Sequence, residues 1–180
     1  RLDEAGDLIP LREQDRTRWD ERLVAEGRRL LDLSATGPEL SDYHVEAAIA
    51  AVHANTLASD DERWDAIVSL YDTLLSIRSS PVVALQRSLA IAERHGPERG
   101  LAAIRAIEGA ERLGRYPFYF AALGELELRR GEREPAAEHF RKALALARNE
   151  LERRFLEGRL ALCEENDGGN ATETERRGRA

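Results

Sequence analysis

Apolar residues recur along this chain at helical spacing, and the spacing restarts wherever a proline, glycine or capping residue interrupts it. Trp19, Leu23, Gly27, Leu30 and Leu31 fall on one stripe, with Asp15 reading as the N-cap of the helix that carries it. "TGPEL" (36–40) breaks that helix, and the alanine-rich "DYHVEAAIAAVHAN" (42–55) predicts a second that can pack closely. Ser59 and Glu62 form a capping box, in which each side chain satisfies the other's backbone N–H. The third helix it opens has Trp64, Ile67, Val68, Tyr71, Leu74 and Leu75 on its apolar face. Ser80-Pro81 predicts a fourth helix, since proline in the first turn removes only an N–H that has no helical partner. That helix runs to His95-Gly96, and "GPERGLAAIRAIEG" supplies a fifth. Pro117 opens a sixth that Gly131 ends, and "REPAAEHFRKALALA" makes a seventh. "NELERRFLEGRLALCEE" makes an eighth with Leu151, Phe155, Leu156 and Leu160 on its face. No segment alternates as a strand would. From residue 166 the chain is polar and aperiodic, which predicts a disordered tail over 166–180.

Two offsets turn the eight helices into an architecture. Pro81 and Pro117 open helices 36 residues apart, and Gly96 and Gly131 close the same helices 35 residues apart. A helical hairpin repeated at about 34 residues is the signature of tetratricopeptide-type repeats. The last copy carries it best, with Phe120, Leu123, Gly124, Gly131, Ala136, Phe140 and Ala143 at the repeat's spacing. Gly124 and Ala136 let two antiparallel helices approach, while Phe120 and Phe140 fill the space on either side. The copy at 82–108 places Leu101 where the small residue belongs, and the copy at 43–78 has a longer hairpin loop. The expected fold is therefore all-α: a short right-handed solenoid of about three hairpins over residues 15–165, with capping helices at both ends. One hairpin cannot bury its own apolar face, so stacked neighbours supply the core.

Composition narrows the function more than it defines it. The chain has 34 Asp and Glu against 27 Lys and Arg in 180 residues. A free-standing nucleic-acid binder usually carries a net basic face, so direct DNA contact by this segment is not expected. The single cysteine, Cys163, excludes an internal disulfide and a cysteine-rich zinc site. The four histidines, His44, His53, His95 and His139, include no pair four residues apart, so no metal or other cofactor is expected. No phosphate loop, dinucleotide fingerprint or nucleophile elbow appears, and an enzyme is not expected. No apolar run reaches the roughly 20 residues that span a bilayer. Methionine is absent, and a chain opening "RLDEAGD" reads as part of a longer polypeptide, with residues 1–14 the remnant of a preceding domain or its linker.

The remaining motif is "LIPLREQDRTRWD", residues 8–20, a densely charged approach to one of two tryptophans. Together with "AAIAAVHA", "WDAIVSLYDTLL", "SPVVALQRSLAIAERHGPERGLAAI" and "NELERRFLEGRL", it resembles the C-terminal extension of a group of bacterial extracytoplasmic-function sigma factors. The likeness runs in order from Leu8 to about Leu162, and Gln14, Asp15, Arg16, Trp19 and Asp20 are its most specific part. It implies a cytoplasmic tetratricopeptide-like domain that supports transcription initiation by promoter-binding sigma regions, which are not within these residues. Its partners would be those regions or RNA polymerase. Gln14, Asp15, Arg16 and Trp19 then become a candidate interdomain seam, since Trp and Arg concentrate binding energy at interfaces. The bland alternative makes Trp19 the first core residue of helix one. A second functional reading is a stand-alone scaffold that takes a peptide or partner protein in a groove faced by Gln86, Arg87, Glu125 and Arg129.

Overall fold

The computed structural model describes residues 2, 6, 8–10, 13–37, 40–55 and 59–164, the Arg16 side chain excepted. The tail expected from residue 166 and most of the 1–14 remnant lie outside these. Among the described residues the chain is helical, with one isolated antiparallel bridge between Leu2 and Leu8 in place of any sheet. The described residues divide into two compact units, one within residues 9–113 and one made by Leu2, Gly6 and Leu8 with residues 114–164.

The first unit contains α1 (Glu21–Ser34), α2 (Asp42–His53), α3 (Asp60–Ile77), α4 (Pro81–His95), α5 (Pro97–Arg105) and a 3-10 turn at Ala110–Leu113, each helix packed on the next. Sequence signals and structure agree closely at α3. Ser59 N–H and Oγ both reach Glu62 Oε2, at 3.1 and 2.7 Å, while Glu62 N–H donates back to Ser59 Oγ. The helix buries Ile67 and Leu74 completely, and Val45, Ile49 and Val83 from its neighbours close the core around Leu74. Ion pairs record the antiparallel register of α3 and α4. Arg87 Nε meets Asp72 at 2.6 Å, and two turns further along each helix Arg94 Nε meets Asp65 at 2.8 Å.

Those hydroxyl and N–H bonds to Glu62 stabilise its charged form and hold its carboxyl below the usual glutamate range. A depressed carboxylate contributes stability above the unfolded glutamate's pKa and loses it as pH falls through the folded value. Ser59→Ala should thus lower the melting temperature at neutral pH, the cap itself contributing about 0.5–2 kcal/mol. The gap between variant and parent should close in melts run at successively lower pH down through the carboxylate range. A gap of constant size would show that the box adds nothing through Glu62.

The second unit holds α6 (Pro117–Arg129), α7 (Arg133–Ala145) and α8 (Glu150–Glu164). Gly131, at φ 84°, closes α6: its N–H bonds Leu128 O and the next N–H, of Glu132, bonds Glu127 O, the paired arrangement that satisfies a helix's last carbonyls. The core joins Ala121, Ala136, Ala137, Phe140, Ala143, Leu156 and Cys163, with Phe120, Phe155 and Leu160 packed around it. The Phe140 ring lies 3.0 Å from where a Cβ on Gly124 would stand, so the glycine is required by that ring. Leu151, expected on the inner face of α8, is instead partly exposed.

The offset that lays Pro81 on Pro117 corrects the reading of the middle copy. It carries Ala136 onto Gly100, Phe140 onto Ile104 and Gly124 onto Ser88, and all six are buried. Gly100, and not its neighbour Leu101, is the small residue there; Leu101 is a fully buried core side chain. By register, the middle hairpin has Ser88 and Ile104 where the last has Gly124 and Phe140. Its turn is also tighter, because Gly96 alone both ends α4 and precedes α5, at φ 92° and ψ 162°. That backbone region is essentially restricted to glycine. Gly96→Ala should cost about 1–3 kcal/mol. Gly158→Ala, on exposed α8 with open space around it, should instead stabilise by roughly 0.5–1 kcal/mol. Urea titration of both variants checks the opposite signs.

Candidate interaction surface

The charged approach folds differently from its simplest reading. Asp15 does not cap α1. It accepts from Thr17 N–H and Oγ1 at 2.9 and 2.7 Å and starts a short 3-10 turn over Arg16–Arg18. Both bonds favour its ionised form and hold its carboxyl below the ordinary aspartate range. Asp20 is the N-cap of α1, accepting from Arg22 and Leu23 N–H at 2.9 and 3.1 Å. Asp20, five residues beyond the expected cap, takes that place because the 3-10 turn consumes Asp15. Gln14 Nε2 donates to Ile9 O at 3.0 Å and ties the approach to the segment before it. Trp19 is half-buried immediately ahead of the helix.

Helix α1 then presents what the approach leads to. It buries none of its residues. Leu31 and Val24 are half-covered on the side that meets α2, and Arg28 Nη2 donates to Ala54 O at 3.2 Å. The rest of the expected stripe faces outward: Leu23 is 71% exposed and Leu30 53%, with Gly27 open between them. His44 holds the other end of the pair. A backbone N–H can only donate, so the Ser41 N–H 3.2 Å away makes His44 Nδ1 the acceptor. Nε2 then carries the proton and donates to Ser34 O, the last residue of α1, at 3.2 Å. The helices are antiparallel, with Ser34 beside His44 and Arg28 beside Ala54.

The four candidate groove residues have separate duties. Gln86 is exposed on α4, and Arg87 lines a cleft of about 320 Å³ among Leu75, Pro81, Ala84, Ile107 and Glu108 while its Nε holds Asp72. Glu125 pairs with Arg159 of α8, both largely buried, so it works as a strut between helices. Arg129 is exposed in the last turn of α6. Gln86 and Arg87 belong to the first unit, Glu125 and Arg129 to the second.

Other chemistry-bearing groups are engaged structurally. His53 stands edge-on to Trp64, with ring centroids 5.5 Å apart, and Arg63 lies over the same indole while pairing with Asp60. His95 is exposed in the last turn of α4. Burial pushes the Cys163 thiol up, away from the range of an activated nucleophile. Among the described residues, no three His, Cys, Asp or Glu side chains are grouped to hold a metal, and no helix is long and apolar enough to cross a membrane.

Comparison with known proteins places the approach and α1 together. Residues 1–35 match a family of unknown function, DUF6596, whose match ends where α1 ends. The uncharacterized protein R00370 of Rhizobium meliloti (strain 1021) is 33% identical over 156 residues, which is 87% of this chain and 36% of that protein. The chain thus spans about a third of the length of this curated relative. No solved structure matches it significantly.

Proposed function

We propose that this chain is the regulatory extension of an extracytoplasmic-function sigma factor, a protein-interaction domain that supports promoter-binding regions elsewhere in the same polypeptide. The observation that carries the reading is α1, an amphipathic helix that leaves Leu23, Leu30 and Leu33 exposed among the described residues, entered through a charged 3-10 turn. Such a surface is made for a partner. The helical hairpins agree with the extension that the sequence resembles. The greater length of the curated relative agrees with a parent polypeptide containing further domains. The acidic balance supports a reading in which DNA contact falls to those other domains and protein contacts to this one. In this reading it acts in the cytoplasm, with the sigma regions or RNA polymerase as its partners and without cofactor or catalysis of its own.

Run-off transcription tests this directly. The parent polypeptide with core RNA polymerase should initiate at its own promoter, and removal of residues 15–164 should cut initiation several-fold. A parent polypeptide that supports no initiation with core polymerase on any genomic promoter fragment would remove the reading. The second reading, a scaffold for a peptide, draws on the cleft beside Arg87. It predicts instead that Arg87→Ala abolishes partner binding while initiation is unaffected.

A further inference from the structure

The cleft beside Arg87 lies where the middle hairpin departs from the last one. The offset of 36 residues that lays Pro81 on Pro117 also lays Ala84 on Phe120 and Arg87 on Leu123. In the last hairpin both positions carry bulky apolar side chains: Phe120 packs against the second unit's core, and Leu123 is buried. In the middle hairpin a methyl group stands in place of the ring and a guanidinium in place of the leucine. There the structure has a cleft of about 320 Å³. Much of its lining is apolar, with Leu75, Ala84 and Ala103 beside the buried Ile107. The buried Ser88 hydroxyl, also in the lining, is engaged with Ala84 O at 2.8 Å. Arg87 and Glu108 carry the lining's charge.

We infer that this cleft is a binding site for an aromatic carboxylate, its ring taking the space that the missing Phe120 counterpart leaves and its carboxylate pairing with Arg87. Three features select that chemistry. The first is volume. An apolar cavity of about 150 Å³ is enough for benzene, so the cleft has room for a ring and a short carboxylate-bearing arm. The second is the state of the guanidinium. Arg87 gives Nε to Asp72 at 2.6 Å, and among the described residues its two Nη groups hold no further carboxylate. Those two groups remain to donate to a ligand carboxylate, a charge-assisted contact stronger than one between neutral groups. The third is placement. The Arg87 side chain is half-buried at the edge of an apolar lining, where an ion pair is less screened than at an open surface. Glu108 disfavours a ligand with a second carboxylate and favours one with an ammonium. It thereby separates the two sources of this chemistry: a free aromatic amino acid offers an ammonium, and the C-terminal residue of a peptide does not.

Ligand-observed NMR on the 180-residue chain tests the site, with 3-phenylpropionate, its neutral amide, L-phenylalanine and the dipeptide alanyl-phenylalanine as probes. The expected result is saturable binding of 3-phenylpropionate with a dissociation constant of about 1 mM or lower. The amide should bind at least about tenfold more weakly, since it offers the guanidinium no charge. Arg87→Leu, which restores the last hairpin's residue, should erase the preference for carboxylate over amide. Ala84→Phe, which restores its ring, should fill the cleft and abolish binding of every probe with helical content unchanged. Tighter binding of phenylalanine than of the dipeptide, with the difference lost in Glu108→Gln, would identify the free amino acid as the source; the opposite order would identify a peptide C-terminus. No saturable binding of 3-phenylpropionate would overturn the inference. So would binding that survives Arg87→Leu and Ala84→Phe unchanged, because the probe would then sit elsewhere. The measurement is made on the isolated chain and is separate from initiation by the parent polypeptide. Probes that bind in a chain whose parent never initiates keep the site and remove the extension reading, and the converse result does the reverse.

Discussion

Phe140→Ala is expected to cost about 3–5 kcal/mol, the upper range for deleting a buried aromatic ring. The ring is 1% exposed and sits between α6, α7 and α8, in contact range of the Gly124 backbone. Its removal leaves a hole that α6 cannot collapse into, since glycine has no side chain to offer. Relaxation would instead need the α6–α7 pair to shift around Ala136 and Ala143, both fully buried. The matching overpacking change, Ala136→Leu, should cost about 1–3 kcal/mol because room for three added carbons must be found in that same crossing. Gly124→Ala together with Phe140→Leu should recover part of the loss, as the smaller side chain gives the new Cβ room. Equilibrium denaturation measures all three. A Phe140→Ala protein as stable as its parent would mean that the α6–α7 crossing is not where the second unit's stability lies.

Much of this was readable from the chain because the governing forces are local. Prolines at helix position N1, the Ser59–Glu62 box and the Gly131 turn each act within a few residues, and all fall where their chemistry puts them. Two failures share a different cause. Asp15 and Asp20 are equivalent as isolated caps; only the competing hydrogen bonds from Thr17 decide between them, and those depend on the 3-10 turn already existing. The small residue of the middle hairpin was misplaced by one because its turn is shorter, with Gly96 serving two helices at once. The surface was harder still. Periodicity shows that Leu23 and Leu30 share a stripe with Leu31, but not which edge of that stripe meets α2, and only packing reveals that two of the three are left open. The groove candidates illustrate the same limit, for Glu125 reads as a solvent-facing acid until α8 brings Arg159 to it.

The charged approach yields the other large expectation. If the proposed function holds, Arg16→Ala combined with Trp19→Ala, made in the parent polypeptide, should uncouple this domain from the sigma regions that reading supplies and sharply reduce initiation at the cognate promoter. Each hot-spot side chain at a desolvated seam contributes on the order of 2 kcal/mol or more, so losing two reaches well past a tenfold effect. In the isolated chain the same pair should matter little. Trp19 is only half-buried there and lies outside the helix, ahead of the Asp20 cap that holds the first turn of α1. The Asp15–Thr17 turn is also untouched by either change. If Trp19 is instead a core residue of the first unit, the pattern reverses: the isolated chain melts several degrees lower, and promoter activity falls only as far as the amount of folded protein falls. Melting of the isolated chain and initiation by the parent, measured on the same double variant, therefore tell a seam from a core. A strongly destabilised isolated chain, with initiation unchanged per folded molecule, would end the seam.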